Sequence, residues 1–175
     1  DEAVAQNVQT NLDAFVAQQQ KLLDTFKSPE NLKLLNEQQD IISRYEAALV
    51  VMRKAYIDSA SARATMDRNA LVAQDAIANL LARALQVPEG DESRFAMYQA
   101  VSEMREQFLL SRYQVRAYIA APNPATEKAA REQLSTTVAS LGKLNAWFAV
   151  SAADTLRALT QTMDQYQAAL QVYAD

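Results

Sequence analysis

The chain is predicted to be all-α: an elongated pair of stacked four-helix bundles sharing two long helices. Three observations predict this. Only two glycines and four prolines occur among 175 residues, which leaves little material for turns. Apolar residues recur at alternating spacings of three and four, the mark of one buried helix face. One such stripe is also far longer than a single compact bundle requires.

The first helix is expected over residues 2–26, with Val8, Leu12 and Phe15 inward. It ends before Lys27-Ser28-Pro29, where Ser28 suits an N-cap and Pro29 the first helical position. The second helix then runs over 30–86; its ~57 residues would extend ~85 Å at the α-helical rise. Its stripe passes through Ile42, Tyr45, Leu49, Met52, Tyr56, Ser59, Arg63, Met66, Ala70, Ala73, Ile77, Leu80 and Ala84. Different partners must cover its two halves.

Pro88-Glu89-Gly90-Asp91 is the next break, with Asp91 or Ser93 opening a third helix over 93–121. Its inner face reads Met97, Val101, Met104, Phe108, Arg112, Val115 and Ile119, so an arginine sits in an apolar stripe. Arg116 follows one turn later on the flank. After Pro122-Asn123-Pro124, with Asn123 as cap, a fourth helix is expected over 125–149. Ser151-Ala152-Ala153-Asp154 has capping-box spacing and opens a fifth over 152–175. Its stripe is Leu156, Leu159, Met163, Tyr166, Leu170 and Tyr173.

A shift of 121 residues places Leu35 on Leu156, Ile42 on Met163, Tyr45 on Tyr166 and Ala48-Leu49 on Ala169-Leu170. Any two Ala/Leu-rich helices can align so, but the same order of helix, capped break and Leu-rich helix recurs in both halves. Two modules are therefore expected, residues 1–57 and 58–175. The second is a complete four-helix bundle. The first is incomplete, because the chain opens at Asp1 without methionine and stops inside a helical pattern, as an excised piece would.

Composition excludes most chemistries. Cysteine and histidine are absent, which removes thiol nucleophiles, disulfides and the usual metal and acid–base residues. Neither long stripe carries a carboxylate, and there is no glycine-rich phosphate loop, so no enzyme, metal or cofactor is expected. Net charge is −4 with no basic block, which argues against a nucleic-acid partner. No run of 18 apolar residues is present to span a bilayer.

The segment Leu109-Leu110-Ser111-Arg112-Tyr113-Gln114-Val115-Arg116-Ala117-Tyr118-Ile119-Ala120-Ala121-Pro122-Asn123 resembles the helical bimodular sensor domain of bacterial chemoreceptors. Ile42-Ser43-Arg44-Tyr45-Glu46-Ala47-Ala48-Leu49-Val50-Val51-Met52 fits the same family. The resemblance extends over essentially the whole chain and is strongest to the receptors of tricarboxylic-acid-cycle intermediates and acetate. It implies a dimeric, periplasmic sensor held between membrane segments outside this sequence, with arginines gripping organic acids. Residues 1–57 would then be membrane-proximal and 58–175 membrane-distal. The family's first helix, which bears arginines of its proximal site, has no counterpart here.

A guanidinium cannot shed its proton, so a buried arginine needs an anion. If residue 86 faces 93, Arg112 lies level with residue 67 and Arg116 with Arg63. Continuing around the bundle, the same height meets Gln133 and Tyr166. The candidate ligand site is therefore Arg63, Arg112, Arg116, Gln133, Thr137 and Tyr166, taking a small carboxylate such as acetate, malate or succinate. Met66, Phe108 and Met163 would close it. Plainer readings stand beside this one: Arg112 paired with Asp67, Arg63 snorkelling at the surface, and Tyr166 as an ordinary core tyrosine. At the level of function, the alternatives to a chemoreceptor sensor are a ligand-free helical spacer or adaptor and the sensor of a histidine kinase.

Overall fold

The computed structural model describes residues 2–175 and is all-helical, with no strand among them. Its five helices are α1 (Glu2–Thr25), α2 (Pro29–Gln86), α3 (Glu92–Ala120), α4 (Pro124–Phe148) and α5 (Ala153–Ala174). Local chemistry explains the boundaries. Pro29 opens α2, where its missing N–H costs nothing. Asp91 caps α3, its carboxylate accepting from the Ser93 N–H at 2.8 Å. Asn123 and Thr126 form a reciprocal capping box on α4 with Pro124 at the first position. The start of α5 departs from expectation. Ala152 is its N-cap without any side-chain cap bond, and the Ser151 carbonyl accepts from Arg83 Nη1 at 2.9 Å instead.

The chain divides into two compact units, residues 1–57 and 58–175, with α2 contributing to each. In the first unit α1 and the start of α2 form an antiparallel pair. Buried Gln19 ties them, its Nε2 donating to the Leu35 carbonyl at 2.8 Å, beside Leu35 and Ile42. Two helices cannot enclose two stripes. Tyr45, Met52 and Tyr56 are more than half exposed although they lie on the apolar stripe.

The second unit is a four-helix bundle with one continuous core. Its inner residues follow strict heptads: Met66, Ala70, Ala73, Ile77, Leu80 and Ala84 on α2; Met97, Val101, Met104, Phe108, Ser111, Val115 and Tyr118 on α3. On α4 they are Ala130, Leu134, Thr137, Leu141, Leu144 and Phe148, and on α5 Leu156, Leu159, Met163, Tyr166 and Leu170. Alternating three- and four-residue steps average 3.5 residues per turn, the period that keeps one face inward in a supercoiled bundle. The backbones approach most closely between α3 and α4 and next between α4 and α5. The α2 flanks are looser.

The same heptad corrects the reading of α3. After Phe108 the buried position is Ser111, which is fully enclosed, and Arg112 lies half-buried on the flank. A step of four from Phe108 to Arg112 followed the step of four from Met104 and broke the alternation. The heptad restores a step of three. Ser111 tolerates the position because its Oγ donates to the Phe108 carbonyl at 2.8 Å.

Candidate functional site in the second unit

Helix geometry decides where the six candidate side chains go. Arg112 reaches across the α2–α3 flank, donating from Nη1 to Gln74 Oε1 at 3.3 Å, and its Cζ lies 6.0 Å from the Phe108 ring centroid. It makes no ion pair with Asp67 among the described residues. Helical side chains lean toward their own N-terminus, and α2 and α3 run antiparallel. The Arg112 head is therefore carried toward the C-terminal half of α2, and that of Asp67 the opposite way. A register drawn from backbone levels alone misses this divergence.

Tyr166 reaches the same region from α5. The residue is 4% exposed and its hydroxyl makes no hydrogen bond among the described residues, whereas the fully enclosed polar atom left without a partner is Asn69 Nδ2. Burial pushes the phenol up to about 12, with the Asp67 carboxylate adding to the rise and the Arg112 and Arg116 guanidiniums opposing it. The charges of Arg112, Arg116 and Asp67 thus act on the Tyr166 phenol, although none of the three contacts it through a hydrogen bond among the described residues. Met66, Phe108 and Met163, all at most 2% exposed, belong to the same core cluster as Tyr166. Arg116 is exposed and has neither ion pair nor hydrogen bond among the described residues.

The other three candidates hold helices together. Arg63 Nη2 donates to the Tyr173 hydroxyl at 2.7 Å with its Cζ 5.0 Å from that ring centroid, and Tyr173 meets Tyr118 edge-on at 5.6 Å. Thr137 is fully buried between α3 and α4, donating to the Gln107 carbonyl at 3.0 Å and the Gln133 carbonyl at 2.9 Å. Gln133 Nε2 donates to Gln107 Oε1 at 2.8 Å. The six residues therefore do not form one ring. Arg112, Arg116 and Tyr166 share a neighbourhood, Gln133 and Thr137 join the α3–α4 seam, and Arg63 joins the α2–α5 seam.

Two polar residues were not singled out from sequence. Gln74 receives Arg112, and Gln107 receives both Gln133 and Thr137. Each sits one place beyond a core position or just before one, a flanking pattern that the heptad marks once its phase is fixed. Two guanidiniums whose described partners include no carboxylate share the neighbourhood of the Tyr166 hydroxyl, a set of donors of the kind that suits an anion. It offers no nucleophile–base pair, and no group of His, Cys, Asp and Glu able to hold a metal is present among the described residues. No described helix is long and apolar enough to cross a membrane.

Comparison with known proteins agrees with this reading of the fold. The family model for the helical bimodular sensor domain matches residues 1–175. The chain is 43% identical over 144 residues to the methyl-accepting chemotaxis protein McpS of Pseudomonas putida, covering 82% of this chain and 22% of that protein. The chain thus spans about a fifth of that relative's length. With a match over its full length and an all-helical architecture that fits it, the chain belongs to the helical bimodular sensor domain family.

Proposed function

We propose that this is the extracytoplasmic ligand-binding domain of a chemoreceptor, periplasmic in its parent protein. Residues 58–175 form its membrane-distal module and residues 1–57 part of the proximal one. The ligand is a small carboxylate of the acetate, malate or succinate type, bound between α2 and α3. Arg112 and Arg116 grip the carboxylate, and the Tyr166 hydroxyl donates to it. Arg63, Gln133 and Thr137 act indirectly, by fixing the helices around the site. The parent receptor works as a homodimer anchored by membrane segments outside this chain, and ligand binding shifts helices toward a signalling domain.

One observation carries the reading: the phenol of Tyr166, a residue only 4% exposed, lies within the field of the Arg112 and Arg116 guanidiniums, neither of which pairs with a carboxylate among the described residues. A ligand-free spacer has no use for two cations without a carboxylate partner beside a hydroxyl donor. Titration calorimetry with acetate, malate and succinate tests it, alongside thermal melting. Ligand at 100 times its Kd should stabilise the fold by ~2.7 kcal/mol. Arg112→Ala should retain the unliganded fold and weaken binding by ~2 kcal/mol or more. Absence of heat and melting shift with every short-chain acid would overturn the proposal, as would unchanged affinity in an Arg112→Ala/Arg116→Ala protein.

A further inference from the structure

A cleft opens along the α2–α3 seam. It has a volume of about 220 Å³ and is lined by Gln74, Ile77, Ala78, Leu81, Arg105, Phe108 and Leu109. Its floor is apolar, with Ile77 and Phe108 at most 2% exposed, and half-exposed Leu109 forms a rim. Polar groups stand at its borders. Arg105 and Arg112 occupy the same heptad position seven residues apart, about 10 Å along α3. Gln74 and Leu81 hold the equivalent position on α2. Arg112 donates to Gln74 Oε1, which leaves the Gln74 amide N–H groups to face other acceptors. Arg105 has no ion pair or hydrogen bond among the described residues.

Shape and chemistry define an occupant. An engineered apolar cavity of about 150 Å³ holds benzene, so this cleft suits a body of roughly six carbons. A cation at the border adds the requirement for one negative end. We infer that this cleft binds a monocarboxylate with an apolar body of about six carbons, aliphatic or aromatic, its carboxylate on Arg105 and its body against Ile77, Leu81, Phe108 and Leu109. A C2–C4 acid is too small to reach from Arg105 across that floor. The site is therefore separate from the one proposed at Arg112, Arg116 and Tyr166, although Arg112 borders it through Gln74.

Calorimetry with hexanoate, benzoate and neutral benzamide tests the inference on the whole chain. Hexanoate or benzoate should bind, and benzamide should bind at least about tenfold more weakly than benzoate, because it lacks the charge that Arg105 meets. Arg105→Ala should weaken benzoate by about tenfold or more, and Arg105→Lys should restore part of the loss. Ala78→Leu, at an exposed position, fills the cleft without burdening the core and should abolish hexanoate and benzoate binding while sparing acetate. No binding of either acid to the wild-type chain would overturn the inference. So would binding that survives both Arg105→Ala and Ala78→Leu. Loss of acetate binding in Arg112→Ala/Arg116→Ala with benzoate retained would leave this cleft standing, so the two proposals fail separately.

Discussion

Arg63 holds Tyr173 through its hydroxyl, Nη2 donating at 2.7 Å while Cζ lies 5.0 Å from the ring centroid, and so joins α2 to the last turn of α5. Because that acceptor is neutral, the guanidinium keeps its charge uncompensated at the rim of the bundle. Tyr173→Phe keeps the ring and removes the acceptor. Urea denaturation should show a loss of about 0.5–1.5 kcal/mol, with acetate affinity unchanged. A large fall in acetate affinity would return Arg63 to the ligand site.

Asp67 and Arg112 lean apart, so Asp67→Asn should leave stability within about 0.5 kcal/mol of wild type. It also removes the one carboxylate that acts on Tyr166, and acetate should bind more tightly for want of that repulsion. Chemical denaturation and calorimetry read the two effects. A loss of about 3–5 kcal/mol would instead reveal a buried ion pair.

Tyr166 makes stability fall at alkaline pH. Its phenol rises from the ordinary 10.0 to about 12 in the fold, chiefly through burial, so the folded state binds the proton more tightly than the unfolded chain. The contribution is fully present below pH 10 and is lost as pH rises from 10 through 12. About two pKa units correspond to roughly 2–3 kcal/mol. Comparing wild type with Tyr166→Phe between pH 8 and 12 isolates this group from the other tyrosines and lysines. Parallel curves would refute it.

Asn123 accepts from both the Ala125 and Thr126 N–H groups at 3.0 Å, and Thr126 completes the box. Asn123→Ala should cost about 1 kcal/mol, whereas Ser151→Ala should cost almost nothing, because the Ser151 side chain caps no helix. Melting temperatures of the two variants check the contrast.

Core truncation separates the units. Phe148→Ala empties a fully buried site in the second unit and should cost about 3–5 kcal/mol. Tyr56→Ala in the first unit changes a residue that is 61% exposed, and its cost should stay near 0.5 kcal/mol. Hydrogen exchange should likewise be slower in the α3–α4 core than in α1.

The sequence by itself determined the five helices and most of the core of the second unit. Apolar spacing is a property of one helix, and capping chemistry at Asp91 and Asn123 acts within three residues, so neither needs distant information. The heptad phase was also legible: strict alternation places Ser111 inward, although a single extra step of four concealed it. Only the tertiary structure decided where the polar heads go. Arg112 could be placed level with Asp67, yet it reaches Gln74, because a long side chain departs from its backbone level and each helix tilts its side chains toward its own start. Tyr45 and Tyr166 hold matching stripe positions, and one is 51% exposed while the other is buried. A stripe records which face seeks cover. Whether other helices stand close enough to provide it depends on packing between segments far apart in the chain.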